Sequence, residues 1–95
     1  MTTTPAQRTQ LRDQQLALLA SQFPLMWFRP GEQFAEEYAW AIWTGEGSAV
    51  QDQPAFNYYG YTTTMGVHPD LLRVLNQQYL YAEFRDPGTV FIWPR

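Results

Sequence analysis

Ninety-five residues make one domain, and a chain that is 45% hydrophobic, 17% aromatic and only 16% charged can bury a core rather than stay disordered. A net charge of −3, carried with six Arg and no Lys, argues against a nucleic-acid groove, which is usually lined by flexible cations. The absence of Cys excludes disulfides and thiolate zinc sites.

The chain opens with a helix signature. Thr4-Pro5-Ala6-Gln7 supplies a cap, a proline at the first helical position and a glutamine at the third. Leu11, Leu16, Leu18, Leu19 and Phe23 follow on one stripe, flanked by Arg8 and Arg12, which can lie over it or pair with an acid. Pro24 ends the helix. Leu25–Arg29 is a short apolar run, extended or a strand, and Pro30-Gly31 is a turn. Glu32–Thr44 predicts a second helix, with acids near its start and Gly45 as its stop. Residues 46–54 read as a loop, and Ala55–Tyr61 as an aromatic strand with a bulge at Gly60.

The closing third carries the clearest signals. His68-Pro69-Asp70 opens a helix whose apolar face is Leu71, Leu72, Val74, Leu75 and Tyr79. Leu80, Ala82 and Phe84 then alternate with Tyr81, Glu83 and Arg85. Asp86-Pro87-Gly88 predicts a turn with positive φ at Gly88, and Thr89–Trp93 is the return strand. The expected architecture is α+β: a small antiparallel sheet of about three strands with about three helices packed on it, and a C-terminal helix followed by a β-hairpin.

Nothing in the sequence assembles a catalytic centre. Nucleophilic catalysis needs a nucleophile, a base and an orienting group, yet the serines are only Ser21 and Ser48 and the single histidine is His68, placed as helix punctuation. Glu32, Glu36 and Glu37 lack further ligands at metal-binding spacing, since only His68 and Asp52 remain on offer. Gly45-Glu46-Gly47 lacks the strand and the basic residue of a phosphate loop. The expectation is therefore a non-enzyme with no cofactor and no metal. The polar stretch Met1–Gln10 has no apolar signal-peptide core, and no apolar run is long enough to span a bilayer, so a cytoplasmic location is expected.

The positive expectation is a binding surface. Between Arg29 and Arg73 there is no Arg or Lys, whereas Glu32, Glu36, Glu37, Glu46, Asp52 and Asp70 stand among eight aromatic residues. On a helical wheel Phe34, Ala35, Tyr38, Ala41 and Ile42 form an apolar face. Trp40 falls among Gln33, Glu36 and Glu37 opposite it, and Trp43 lies at the boundary. A tryptophan on a polar face ringed by acids has hot-spot character toward a basic partner. The predicted partner-binding set is Glu32, Glu36, Glu37, Trp40, Trp43, Glu46, Tyr58 and Tyr59. Alternatively, Trp40 packs under the 46–54 loop or the C-terminal hairpin, or lies in a homodimer interface.

In general character the chain resembles the small accessory proteins encoded by bacteriophages, including anti-CRISPR-type inhibitors. The shared traits are length, acidity, aromatic content and a compact closing segment from His68-Pro69-Asp70-Leu71-Leu72 to Asp86-Pro87-Gly88-Thr89. The resemblance implies an inhibitor that occupies a functional, even nucleic-acid-binding, surface of a bacterial protein or ribonucleoprotein complex in the host cytoplasm. The acidic balance opposes direct contact with nucleic acid, and without a membrane-spanning run no membrane partner is expected. A structural or adaptor subunit such as a virion component is the second expectation, and a small ligand-binding domain or enzyme the third.

Overall fold

The computed structural model describes residues 4–95; Met1–Thr3, the start of the polar leading stretch, lie outside them. Helix α1 spans Pro5–Gln22 and begins as its sequence dictates. The Thr4 hydroxyl accepts from the Gln7 N–H at 3.1 Å, and the Gln7 side chain accepts from the Thr4 N–H at 2.9 Å, satisfying two otherwise orphaned donors. Leu19 and Phe23 of its apolar stripe are buried, while Leu11 is half exposed.

The stretch predicted as the second helix is not one. After the two-residue strand β1 (Arg29–Pro30), Gly31–Gln33 and Glu36–Tyr38 form separate 3-10 turns, and Ile42–Gly45 is strand β2. Two forces override the helical periodicity. Ile42, Trp43 and Thr44 are β-branched or aromatic; all three pair with a C-terminal strand, and Ile42 and Trp43 also with β1. Meanwhile the chain doubles back at Gly31, whose N–H donates to the Ala41 carbonyl at 2.9 Å. A Cβ at Gly31 would lie 1.9 Å from the Tyr38 carbonyl oxygen, so only glycine permits that approach.

The 46–54 loop contains a minimal hairpin, β3 (Ala49–Val50) and β4 (Gln53–Pro54). The aromatic strand expected over Ala55–Tyr61 is reduced to one bridge between Phe56 and Val67. Beyond it Asn57 turns the chain: its carbonyl accepts from the Gly60 and Tyr61 N–H groups, and its side chain also accepts from Gly60. Local Asn-Gly turn chemistry thus outweighs the strand preference of the tyrosines between them.

Helix α2 (Pro69–Gln77) and the hairpin of β5 (Leu80–Asp86) and β6 (Thr89–Pro94) follow as expected, except that Tyr79 lies past the helix end, 76% exposed, and is not part of its apolar face. His68 is the cap, with Nδ1 accepting from the Asp70 N–H at 3.1 Å. The hairpin turns through Asp86, whose carboxylate accepts from the Gly88 N–H at 3.0 Å. Positive φ does not occur at Gly88; among glycines it falls at Gly45, Gly47 and Gly66. Gly45 is the glycine that the hairpin requires, since a Cβ there would meet the Gly88 carbonyl oxygen at 2.2 Å.

The fold is α+β, but with two α-helices and a four-stranded antiparallel sheet rather than three and three. The strand order β1-β2-β6-β5 leaves β5 at one edge. One face of the sheet presents Ile42, Leu80 and Ile92 to Leu19, Phe23, Leu71 and Leu75 of the helices, forming the main core. The opposite face carries Trp43 and Phe91, partners across β2 and β6, and Trp93, the partner of Tyr81 across β6 and β5. The double-turned segment covers it: Tyr38 stacks on Phe91 at 3.8 Å between centroids, and Phe34 meets Phe91 and Trp43 edge-on at 5.2 Å each.

Candidate protein-binding face

The structure divides the eight predicted residues into five groups. Glu32 is held within the chain by Arg12 of α1, itself only 3% exposed. Arg12 Nη1 donates to Glu32 Oε2 and to the Ala39 carbonyl, Nη2 donates to Glu32 Oε1 at 3.2 Å, and Nε donates to Asp13 at 2.8 Å. The hydrogen bonds from Arg12 hold the Glu32 carboxyl below the ordinary glutamate range. Burial on its own would lower the Arg12 pKa, but the hydrogen bonds and charges of Glu32 and Asp13 raise it.

Trp43 belongs to the aromatic layer, edge-on to Trp27 at 5.3 Å. Glu36 and Glu37 are exposed on their 3-10 turn. Trp40 is 39% exposed, and without the helix it does not lie between those acids; the Arg8 guanidinium stands over its ring at 4.4 Å instead.

Glu46, Tyr58 and Tyr59 do come together. With Asn57 and Pro87 they line a hollow of about 350 Å³ beside the hairpin turn. The backbone there is pinned: Trp27 Nε1 donates to the Glu46 carbonyl at 2.8 Å, and the Glu46 N–H donates to the Gly88 carbonyl at 2.9 Å. Thr44 Oγ1 lies 2.7 Å from the Trp27 carbonyl and 3.0 Å from Ser48 Oγ, which fixes the near end of the loop. Tyr58 and Tyr59 meet edge-on at 5.1 Å, and Tyr58 rests against Phe84 of β5 at 5.2 Å.

Tyr58 also lines a second, larger groove of about 850 Å³ along β5, with Met65, Tyr81, Glu83 and Phe84. The two hollows therefore form one face. Tyr59 is 80% and Met65 86% exposed. Met65 adopts the left-handed conformation, with φ 55°, which a methionine occupies at a cost. Sequence reasoning missed Met65, Tyr81 and Glu83. The alternation Tyr81-Ala82-Glu83-Phe84 marked Tyr81 and Glu83 as leaving the core, but not that their strand would be the sheet's edge. Nothing periodic marked Met65.

His68 has both ring nitrogens engaged, since Nε2 lies 2.7 Å from Gln53 Oε1 while Nδ1 caps α2. Among the described residues no three His, Asp or Glu side chains converge to hold a metal ion, and no helix is long and apolar enough to cross a membrane. Comparison with family models, curated proteins and solved structures finds no match.

Proposed function

We propose that this chain is a non-catalytic protein-binding module whose contact face runs from Glu46 and Tyr59 through Tyr58 to Met65 and Tyr81. One observation carries the reading: Tyr58 stands in both hollows and so joins the exposed aromatic side chains into a single face along the free edge of β5. Contiguous exposed apolar surface on a small soluble domain marks an interaction site more often than it marks chance. Tyrosines supply large contact area with little entropy to lose.

An open strand edge offers a row of backbone donors and acceptors to an extended segment of a partner. The proposed occupant is such a segment, with basic residues opposite Glu46 and Glu83. Engagement of both His68 nitrogens supports a non-catalytic role. On the resemblance to phage-encoded inhibitors, the partner belongs to a bacterial host-defence complex, and binding obstructs a surface that complex uses.

The test is retention of a partner from bacterial lysate by the wild-type chain, compared with Tyr58→Ala/Tyr59→Ala and Trp40→Ala, combined with hydrogen exchange on the captured complex. The tyrosine double variant should weaken retention by 30-fold or more, the hot-spot range of about 2 kcal/mol, and bound partner should protect the β5 amides. Full retention by the double variant, with loss in Trp40→Ala, would place the contact elsewhere.

A further inference from the structure

Next to the β5 groove, with which it shares Arg95, a cleft of about 360 Å³ opens between α1 and the end of β6, lined by Arg8, Leu11, Arg12, Gln15, Trp40, Trp93, Pro94 and Arg95. Three of the six arginines of an acidic chain meet there, and no aspartate or glutamate side chain lines it. Arg12 is neutralised by Glu32 and Asp13. The other two are not. Arg8 lies over the Trp40 ring and makes no ion pair among the described residues. Arg95 gives its hydrogen bonds only to neutral oxygens, the Leu80 carbonyl at 3.2 Å and the Asn76 side chain at 3.2 Å.

A second observation is independent of the charges. Trp93, one wall of the cleft, has its indole Nε1 buried without an acceptor, the one such buried side-chain polar atom among the described residues. Buried donors are nearly always paired, so this orphan needs an acceptor that the described residues do not supply, a water or a ligand group. Two guanidiniums without a side-chain carboxylate partner and an unpaired N–H favour an acceptor-rich anion. The flat walls of Trp40 and Trp93, with Leu11 and Pro94, ask for a planar ring beside it. The volume lies within the range of small-molecule sites.

We infer that this cleft binds a small aromatic anion, one ring system bearing a phosphate or a carboxylate. The ring packs against the tryptophans. The anionic group lies within reach of Arg8 and Arg95 and accepts from their N–H groups. Stacking on Trp40 already restricts the Arg8 guanidinium, so less freedom is lost when the anion arrives. The site does not depend on the tyrosine face being a protein-binding surface.

The experiment follows the four indole N–H resonances of the full chain by nitrogen-15 NMR, assigned by single Trp→Phe substitutions. The probes are adenosine 5′-monophosphate, indole-3-acetate, adenosine and inorganic phosphate. The Trp93 indole resonance should shift saturably with one or both of the ring-bearing anions. Adenosine and phosphate should each bind at least tenfold more weakly than the tighter of the two ring-bearing anions. Arg8→Gln, an exposed substitution, should weaken binding at least tenfold, whereas Arg73→Gln, outside the cleft, should leave it within twofold. A Trp93 resonance unmoved by all four probes overturns the inference. So does phosphate binding as tightly as the nucleotide, or an equal loss in Arg8→Gln and Arg73→Gln.

Discussion

At the scale of single residues, the pairing of Arg12 with Glu32 shows how one buried charge reorganises its surroundings. A guanidinium left in a core without partners would be prohibitively costly, so the chain brings Glu32 and the Ala39 carbonyl to it. The pair also has a definite pH signature. The folded-state pKa of Glu32 is depressed, so the unfolded chain takes up its proton more readily. The stabilisation is therefore present above the ordinary value of about 4.5 and is lost as pH falls below it. Glu32→Gln should cost about 1–2 kcal/mol at pH 7, less than a fully buried pair because the glutamate is 42% exposed. It should also make the loss of stability below pH 4.5 shallower than in the wild type. Urea titrations at several pH values check this, and parallel acid slopes would mean that Glu32 contributes nothing to acid sensitivity.

At the scale of elements, the two α-helices follow their local signals and the region between them does not. Both begin with a capping side chain followed by proline, a start signal contained within a few residues. The end of α2 is less well served. Tyr79, just past the Gln78 cap, has φ 55° and is 76% exposed, in a position where glycine is the usual occupant. Tyr79→Gly should relieve the left-handed strain and stabilise the fold by about 1 kcal/mol. Thermal unfolding is the measurement, and a lowered melting temperature would show that the exposed ring contributes packing that the strain argument ignores. Residues 32–44 lack a capping side chain at their start, and their β-branched end had a sheet to join.

At the scale of the whole molecule, one small sheet supports two unequal layers. The helices and the β3–β4 hairpin close one face, while two 3-10 turns with Phe34 and Tyr38 close part of the other. Phe91 is the centre of the second layer, 1% exposed and stacked on Tyr38. Phe91→Ala should cost about 3–5 kcal/mol, a large share of the total for a domain of this size. It should also release hydrogen-exchange protection in both β6 and residues 31–41. Tyr81→Ala, on the uncovered part of the same face, should change stability by no more than about 0.5 kcal/mol. Equal losses in the two variants would mean that the layer extends to β5, and the groove there would then be core rather than a contact face.

Features that rest on neighbours in the chain were readable from residue order: the capped α1, the His68-capped α2, the β5–β6 hairpin and the α+β class. Their signals are local, because capping residues, prolines, turn residues and alternation encode where such elements start, stop and reverse. Only the tertiary structure decided the middle. The acids and aromatics of residues 32–43 fitted a helical wheel, but Arg12, twenty residues before Glu32, and β6, fifty residues beyond Ile42, drew them into turns and a strand. The candidate face divided in the same way. Glu46, Tyr58 and Tyr59 were legible as acidic and aromatic surface, because composition registers such residues wherever they lie. That Tyr58 would meet Phe84, that β5 would be an edge, and that Trp40 would lie under an arginine rather than between two glutamates all depend on long-range pairing, which no local pattern records.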